Sequence, residues 1–545
     1  MSKVDHLDNI TSYLSRNALR FPDKPAILHP QTISFKELDK EVDRFAAGLE
    51  NHGITKGSRT ILLVSAGPDF FVLCFALLRI GAVPIMIDPG MGTRAMIKAL
   101  SNSDANAFIG VPKAHLLKYF YPDAFKKVNT WINTGNIRIP GSVKYSSLRT
   151  EVDFPGPQCH IEPNDVAGIF FTSGSTGPPK GVIYHAKTMN AQVKLMEDHF
   201  KYGPDEIDLC TFPLLGLFVT CLGSSLVIAD MDPLKPAELI PKKLINNINE
   251  YKCTQMFGSP MILNRLVSFS KNQTIKMNSL KRVISAGAPV PLELIDSFLK
   301  LIAPSATLHT PYGATEALPV SDITSTELLD QNEEEAAYSQ GICIGYPLPG
   351  ISIKIINIID DPIPEWSNQI IAQKNEIGEI VVIGSSVTSE YHNNQYANSM
   401  AKIPDHSDNS IWHRMGDLGR QDSKGILWFY GRKNHRVVGS GRILYTIPVE
   451  AVFNRHPDVY RSALVGVTLL GKHHQEAVIC IQTRTKNKGF YLEKLKRDLL
   501  VMASENELTY DIKHILFHPD FPVDPRHNAK IFREKLAKWA ERRIR

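Results

Sequence analysis

The chain has 545 residues, of which 43% are hydrophobic and 21% are charged, and this ordinary globular composition excludes collagen-like, coiled-coil and intrinsically disordered classes. The formal net charge is +5, from 61 basic and 56 acidic residues, and residues 530–545 alone contribute seven basic and two acidic side chains. Because the remainder is charge-balanced, the composition argues against nucleic acid as the main partner, which would need a broad basic surface.

The first predicted elements alternate between helix and strand. Ser34 and Glu37 form a capping box, which opens a helix whose apolar residues recur at helical spacing until Gly53. Short apolar runs then predict buried strands, with a helix over 69–79; the strands are 60–64, 82–87, 167–171, 226–229, 255–257 and 282–285. This alternation predicts a mainly parallel sheet with helices on both faces.

Two apolar stretches, 70–78 and 214–229, are shorter than the roughly 20 residues that a membrane-spanning helix requires, so we expect both in the core. The N-terminal residues lack the apolar region of a secretory signal. The seven cysteines are scattered and never form a C-x-x-C pair, which indicates neither a disulfide framework nor a structural zinc site. These features predict a cytoplasmic protein.

The sequence pattern changes near Gly345. Segments 351–359 and 379–383 are predicted to be antiparallel strands, with glycine and proline between them. A polar, basic stretch follows Arg432, and the chain beyond it has an α/β pattern of its own. We therefore expect two domains, 1–432 and 433–545.

A loop rich in hydroxyl groups and glycine follows the predicted strand 167–171. It reads Thr172-Ser173-Gly174-Ser175-Thr176-Gly177 and is followed by Lys180. Its glycines allow several backbone N–H groups to converge on an anion, while the hydroxyls and the lysine add donors and positive charge. The loop predicts a polyphosphate site, although it lacks the Gly-Lys-Ser/Thr of a Walker A loop. The alternative is a Ser/Gly-rich surface loop.

Further motifs follow this loop in a fixed order. They are Ala286-Gly-Ala-Pro289, Tyr312-Gly-Ala-Thr-Glu316, Gly378-Glu-Ile380, Gly416-Asp-Leu418, Gly431-Arg432 and Pro525-Arg-His-Asn-Ala-Lys-Ile531. Together they resemble the adenylate-forming superfamily of acyl-CoA synthetases, peptide-synthetase adenylation domains and luciferases, over roughly residues 170–535. The resemblance implies an AMP-forming ligase. It also implies parallel α/β subdomains with a β-rich subdomain and a small, mobile α+β C-terminal domain.

The resemblance assigns a role to each matched residue. Residues 172–177 and Lys180 would hold the β- and γ-phosphates of ATP. Tyr312 would face adenine, with the turn Gly287, Ala288 and Pro289 on its other side and Gly313 and Ala314 beside it. Thr315 would donate to the α-phosphate, and Glu316 would bind Mg²⁺, a cation that favours oxygen ligands. Asp417 and Arg432 would hold the ribose, and Lys530 would be the catalytic lysine. Taken singly, each of these residues could instead be an ordinary core-edge, turn or surface residue.

Two segments depart from the acyl-CoA synthetase pattern. The segment 212–218 lacks the aromatic–histidine pair of many such enzymes, and Phe212, Leu214 and Phe218 predict an apolar wall for a long alkyl chain. In the hinge, Asn434 takes the pivot position. Val438 stands where a lysine beside the thiol tunnel is expected, which puts the use of coenzyme A in doubt.

Several stretches, among them 311–320 and 521–536, resemble one branch of the superfamily, the β-lactone synthetases of olefin biosynthesis. That resemblance implies a long-chain 2-alkyl-3-hydroxy fatty acid as substrate and an intramolecular ring closure after activation. It also implies a thiolase, a reductase and an α/β-hydrolase as pathway partners. The alternatives are a long-chain fatty acyl-CoA synthetase or acyl-AMP ligase, and a nucleotide-binding protein that has lost catalysis. Retention of Glu316 and Lys530 argues against the last.

The C-terminal segment has an amphipathic pattern. Phe532, Leu536 and Trp539 recur at helical spacing, with basic residues around the rest of the helix. Two interpretations stay open at this point. The helix packs on its own domain, or it docks on a membrane surface or a pathway enzyme.

Overall fold

The computed structural model describes residues 9–153, 155–156, 159–172, 178–271, 273–330, 341–471, 473–485, 489–523 and 531–544. Its helices are α1 (Thr11–Arg20), α2 (Phe35–Asn51), α3 (Pro68–Arg79), α4 (Thr93–Ser101), α5 (Leu117–Phe120), α6 (Ala186–Asp198), α7 (Pro213–Cys221), α8 (Pro241–Tyr251), α9 (Pro260–Ser270), α10 (Leu292–Leu299), α11 (Ser325–Asp330), α12 (Gln395–Ala401), α13 (Thr446–Asn454), α14 (Phe490–Ser504) and α15 (Arg533–Ile544).

Its strands are β1 (Pro25–His29), β2 (Ile33–Ser34), β3 (Arg59–Leu63), β4 (Val83–Ile87), β5 (Ala107–Gly110), β6 (Thr130–Asn133), β7 (Val143–Lys144), β8 (Val166–Thr172), β9 (Lys180–His185), β10 (Ile207–Cys210), β11 (Ser225–Ile228), β12 (Gln255–Phe257), β13 (Arg282–Ile284), β14 (Thr307–His309), β15 (Tyr312–Ala314), β16 (Ala317–Asp322), β17 (Ile342–Pro347), β18 (Ile351–Ile356), β19 (Gly378–Gly384), β20 (Lys402–Asp405), β21 (Ser410–Gln421), β22 (Leu427–Arg432), β23 (Val437–Val438), β24 (Ile443–Leu444), β25 (Val459–Thr468), β26 (Gln475–Thr483) and β27 (His514–Phe517).

Two sheets are mainly parallel. Sheet I has the order β7-β6-β5-β3-β4-β8-β9, and only its β8–β9 pair is antiparallel. Sheet II has the order β14-β13-β12-β10-β11-β1-β2, and only its β1–β2 pair is antiparallel. Strands that are parallel end at one common edge, so the loops that follow them gather there.

The other two large sheets follow in the chain. Sheet III is antiparallel and has eight strands, in the order β15-β16-β17-β22-β21-β19-β18 with β20 on β21. Arg432 is its last residue. Sheet IV, β25-β26-β27, comes after it with α13, α14 and α15. The α/β architecture predicted from the alternating pattern is confirmed.

Both apolar stretches lie in the core. Helix α3 is buried from Phe70 to Arg79, and α7 and β11 pack into the same cluster. Arg79 is a buried charged residue of this helix, and its guanidinium Nη2 lies 2.6 Å from Asp39 Oδ1 while its Nη1 pairs with the buried Asp43. Among the described helices, none is long and apolar enough to cross a lipid bilayer.

Local signals placed most elements correctly. The capping box of α2 has both of its hydrogen bonds, between Ser34 and Glu37. The strand predicted over 351–359 is shorter in the structure, where β18 covers Ile351–Ile356. It ends at Ile356 because its pairing with β19 ends there, opposite Glu379, and Asn357 N–H turns to the carbonyl of Ile370 at 2.7 Å.

The apolar face of the C-terminal helix is not free. Leu536 and Ala540 are buried against sheet IV, and the ring of Trp539 packs edge-on against His518 at 4.5 Å. The interpretation that this helix packs on its own domain is therefore confirmed for the apolar face. Phe532 lies just before the helix, which begins at Arg533.

Candidate active site

The candidate site begins at the edge where the parallel strands of sheet II end. The strands β10, β12, β13 and β14 run side by side in the same direction. The segments after them therefore meet at one edge, as in other open parallel sheets that bind ligands there. These segments contain Phe212, Gly258, the turn 285–289 and the start of the Tyr312 motif.

The motif Tyr312–Glu316 forms most of a tight β-hairpin. Ala314 pairs with Ala317, so Thr315 and Glu316 are the two residues of the turn between β15 and β16. Glycine is required at position 313, because a Cβ there would lie 2.7 Å from the carbonyl oxygen of Ala317. The hydroxyl of Tyr184 donates to the carbonyl of Thr315 at 2.6 Å and fixes the tip.

The carboxylate of Glu316 is held by a tyrosine that the sequence did not indicate. The Tyr391 hydroxyl donates to Glu316 Oε1 at 2.8 Å, and burial together with this carboxylate raises the pKa of Tyr391 above its usual range. The Thr388 N–H and hydroxyl both donate to the Glu316 carbonyl at 2.9 Å. The expected metal ligand is thus fixed at both its backbone and its side chain.

Lys180 reaches the same tyrosine from sheet I. Its Nζ lies 5.0 Å from the centre of the Tyr391 ring, within the range of a cation–π contact. Lys180 is the first residue of β9 and pairs with Thr172, the last residue of β8. The phosphate-loop lysine and the candidate metal ligand therefore come together around one ring.

The middle of the phosphate loop, Ser173, Gly174, Ser175, Thr176 and Gly177, lies outside the described residues. So does Lys530. The residues on either side of its segment, Val523 and Ile531, form a β-bridge with each other. The roles expected of these six residues stay predictions.

A buried lysine lies behind Tyr391. Lys402 Nζ donates to the carbonyl of Thr388 and lies 5.6 Å from the Tyr391 ring centre. Burial lowers the pKa of Lys402 to about 7, an effect that Glu316 and Glu390 oppose. Lys402 therefore carries a charge that depends on pH near neutrality, next to the candidate metal ligand.

The expected ribose and adenine residues form a second cluster. The Tyr312 hydroxyl donates to Asp417 Oδ2 at 2.6 Å, and Arg432 Nη1 lies 3.0 Å from Asp417 Oδ1. The ion pair follows from the fold, because Asp417 and Arg432 are paired across β21 and β22. Burial raises the pKa of the Asp417 carboxyl, while Arg432 and the Tyr312 hydroxyl oppose this effect.

The Asp417 carboxylate fits a ribose. Its Oδ1 is buried and has no aligned hydrogen-bond donor among the residues that the structure describes, although Arg432 balances its charge. An ionised carboxylate offers about four acceptor positions, so capacity for hydroxyl donors remains. The turn that is expected to contact adenine comes immediately after β13. Its Gly287 has φ +93°, a conformation that favours glycine. Ala288 is half-buried there, and Pro289 is exposed.

The apolar wall is the start of α7. Phe212 is 43% exposed and its ring lies 5.9 Å from that of Phe257, while Leu214 and Phe218 are half-buried against the core. Thr211 Oγ1 donates to the Phe257 carbonyl at 2.6 Å and joins the ends of β10 and β12. A partly open apolar surface is thus present where the sequence predicted an alkyl chain.

The candidate hinge is anchored on one side. Lys433 Nζ donates to Glu379 Oε2 at 3.0 Å, and Arg414 Nη2 donates to the same oxygen at 2.6 Å. The Lys433 and Glu379 side chains are buried, whereas Asn434, the next residue, is exposed. Lys433 is therefore tied to sheet III, and beyond the exposed Asn434 the chain meets the same region again where Arg436 pairs with Asp360.

The side chains that sequence reasoning missed share one property. Tyr184, Thr388, Tyr391 and Lys402 stand in none of the recognised motifs, and each reaches the site through pairing of distant segments. The backbone link between Tyr391 and β9, where His392 N–H donates to the Gly181 carbonyl at 2.7 Å, is likewise tertiary. No local spacing signals such contacts.

Comparison with known proteins gives the family. The model of the family described as "AMP-binding enzyme" matches residues 14–392. The chain is 38% identical, over 99% of its length and 98% of the relative's, to the olefin beta-lactone synthetase of Xanthomonas campestris pv. campestris.

Solved structures support the fold. The amide bond synthetase McbA from Marinactinospora thermotolerans matches with a TM-score of 0.78 at 20% identity, over 97% of this chain and 99% of the other. The O-succinylbenzoate coenzyme A synthetase MenE from Bacillus subtilis, in complex with ATP and magnesium ion, matches with a TM-score of 0.73 at 19% identity, over 96% and 98%. The superfamily resemblance and the expected fold are confirmed, and this chain belongs to the AMP-binding enzyme family.

Proposed function

We propose that this chain is an ATP-dependent, AMP-forming synthetase that closes a β-lactone on a long-chain 2-alkyl-3-hydroxy fatty acid. The observation that carries the proposal is the 38% identity with an olefin beta-lactone synthetase over nearly the whole length of both chains. The second candidate is a long-chain acyl-CoA synthetase or acyl-AMP ligase. The apolar start of α7 is compatible with both.

The first half-reaction is adenylation. The carboxylate oxygen of the acid attacks the α-phosphorus of ATP, the bond to the β-phosphate bridging oxygen breaks, and pyrophosphate leaves. The protein mainly positions the reactants and balances charge. Thr315, at the hairpin tip, donates to the α-phosphate, and Lys180, next to the Tyr391 ring, binds the outer phosphates. Asp417 binds the ribose hydroxyls.

Mg²⁺ fits this site because Glu316 offers a carboxylate oxygen, which a hard cation prefers. The bound ion would neutralise phosphate charge. The chain's own residues hold that ligand in place: the Tyr391 hydroxyl donates to the carboxylate, and Thr388 donates to the backbone carbonyl of Glu316. Lys530, in the C-terminal domain, is proposed to place its ammonium group next to the carboxylate and α-phosphate oxygens.

The second half-reaction is intramolecular. The 3-hydroxyl oxygen of the substrate attacks the acyl carbon, the bond from that carbon to the AMP oxygen breaks, and AMP leaves with the electron pair. The hydroxyl proton passes to a phosphate oxygen of AMP or pyrophosphate. Nucleophile and electrophile in one molecule have a high effective concentration, which offsets part of the strain of the four-membered ring.

We also propose the division at 432/433, with the C-terminal domain moving about Asn434. The burial of Lys433 beside Glu379 supports a pivot just after it. Val438, in β23, is 43% exposed where a tunnel lysine is expected, which supports a reaction without coenzyme A. A cytoplasmic location and a thiolase, a reductase and an α/β-hydrolase as pathway partners complete the proposal.

Product identification tests the function. The purified protein is incubated with ATP, Mg²⁺ and a 2-alkyl-3-hydroxy acid, with and without coenzyme A, and the products are identified by NMR and mass spectrometry. We expect many turnovers to a β-lactone, AMP and pyrophosphate without a thiol. The matched acid without the 3-hydroxyl should stop at one bound adenylate per active site, because the site then holds no nucleophile once water is excluded. Equal turnover of both acids, or a dominant thioester, would favour the acyl-CoA synthetase.

A further inference from the structure

An apolar, basic surface lies on two connecting segments of sheet I, one of which contains α5, away from the nucleotide residues. It comprises segment 113–121, after β5, and segment 136–140, after β6, and we refer to it as the 113–140 surface. Five large apolar side chains are exposed there: Leu116 by 50%, Tyr119 by 60%, Phe120 by 73%, Tyr121 by 39% and Ile137 by 66%. Clusters of this kind on soluble proteins mark interaction sites.

The two loops form one rigid surface. Lys118 Nζ donates to the Pro140 carbonyl at 3.2 Å and lies 4.8 Å from the centre of the Trp131 ring. Beneath the surface, His115 is fully buried, with its Nε2 3.2 Å from the Ile132 carbonyl oxygen, and Phe125 is 5% exposed. The exposed side chains are therefore held outward by a packed base and do not result from a loosely attached loop.

The surface is basic. Its two segments contain three basic residues, Lys113, Lys118 and Arg138, and no acidic residue. Lys113 and Arg138 are exposed, as is Lys144 at the end of the neighbouring strand β7, and Lys118 joins the two segments. Exposed aromatic side chains together with exposed lysine and arginine, and no acidic residue, match the interface of an anionic bilayer, where rings lie at the headgroups and cations neutralise phosphate.

The location also suits a lipid surface. Strands β5 and β6 are parallel to β8, so these loops lie at the same edge of sheet I as Thr172. Four strand spacings separate β6 from β8, which amounts to about 20 Å. A bilayer at this edge would lie near the mouth of the candidate site.

We propose that the 113–140 surface docks on anionic lipid bilayers, from which the enzyme takes its long-chain acid. The docking stands on the surface itself, and the source of the acid rests on the proposed function. A protein partner or a second copy of this chain are the alternative occupants. The exposed cations favour a surface with many negative charges, so the bilayer is the occupant that the charge distribution supports.

Vesicle sedimentation tests the docking without any substrate. The full-length protein is mixed with vesicles of phosphatidylglycerol and phosphatidylethanolamine in equal parts, or of phosphatidylcholine alone. We expect binding to the anionic vesicles that weakens in 0.5 M salt, and much weaker binding to phosphatidylcholine. The double variant Tyr119→Ser/Phe120→Ser should lose at least about tenfold in affinity. Phe490→Ser, at a side chain 80% exposed on α14, is the matched control and should bind like the wild type.

The outcomes separate the two proposals. The double variant should keep wild-type turnover of acid presented in detergent micelles, since its side chains lie outside the site. If the wild type stays in the supernatant with anionic vesicles, or the double variant binds as well as the wild type, bilayer docking is wrong. Self-association in sedimentation velocity that the double variant abolishes, without vesicle binding, would assign the surface to a protein interface instead. If vesicle binding holds but no β-lactone forms, only the proposed function fails.

Discussion

Tyr391 joins the candidate metal ligand to the phosphate-loop lysine. Tyr391→Phe removes the hydrogen bond to Glu316 Oε1 but keeps the ring under Lys180. A hydrogen bond to a charged group contributes about 1.5–3 kcal/mol, so we expect the Mg²⁺ concentration for half-maximal pyrophosphate release to rise roughly tenfold or more. Tyr396→Phe, at an exposed tyrosine, is the control. An unchanged Mg²⁺ dependence would show that Tyr391 does not orient the carboxylate.

Lys402 predicts a pH effect on stability. Its pKa is about 7 in the folded protein, against an ordinary value of 10.5. Between these values the unfolded chain holds a proton that the folded chain lacks, so the free energy of unfolding rises with pH across this window. Below pH 7, Lys402 is protonated in both the folded and the unfolded chain. The buried charge then lowers the free energy of unfolding by its full cost, on the order of 3–5 kcal/mol.

Lys402→Met should flatten this pH dependence. At pH 6 we expect the variant to melt at a higher temperature than the wild type. The difference between the two melting temperatures should shrink towards pH 10. Lys194→Met, at an exposed lysine of α6, provides the comparison. A difference that does not change with pH would mean that Lys402 keeps an ordinary pKa.

Lys530 is expected to act on charge that develops during adenylation. Removal of one such donor costs about 10²–10³-fold in rate, so Lys530→Ala should reduce pyrophosphate release by at least that factor. Binding of ATP, measured by calorimetry, should persist, because the other residues proposed to contact the nucleotide all lie before Lys433. Pyrophosphate release at the wild-type rate would remove Lys530 from the catalytic residues.

At the scale of elements, the β15–β16 hairpin sets the positions of Thr315 and Glu316. A methyl group at Gly313 would meet the Ala317 carbonyl oxygen at 2.7 Å, and backbone atoms cannot move aside as a flexible side chain can. We expect Gly313→Ala to cost about 1–3 kcal/mol in stability and to reduce pyrophosphate release. Gly203→Ala, where a Cβ meets nothing within 4 Å, should leave both unchanged. Full activity in Gly313→Ala would show that the hairpin tolerates a shift.

The elements also show how far sequence reasoning reached. The α2 capping box and the strand-and-helix alternation are local patterns, and the structure has both. The matched motifs located Tyr312, Asp417 and Arg432, which do come together. Tyr391 could not be found in this way, because 75 residues separate it from Glu316 and only tertiary pairing unites them. The overlong prediction for β18 has the same cause, since its end is set by its partner strand.

At the scale of the whole molecule, the chain beyond Arg432 has cores of its own. One cluster runs from Val437 to Ile515 and another lines α15, and both are composed of residues from this part alone. Units with separate cores can unfold separately. We expect two calorimetric transitions. ATP with Mg²⁺ should raise mainly the midpoint temperature of the transition that comes from residues 1–432. A single transition whose calorimetric and van't Hoff enthalpies agree would show that the cores unfold together.

The two-residue turn at Thr315 and Glu316 has a consequence for how such a protein can diverge. One inserted residue in this turn would change the pairing of Ala314 with Ala317 and displace the Glu316 carboxylate from the Tyr391 hydroxyl. The α7 wall has no comparable restriction, since Phe212, Leu214 and Phe218 belong to a separate helix and its N-cap. If the proposed roles hold, we expect acceptance of new acids to evolve by replacement within α7, while the hairpin keeps its length and register.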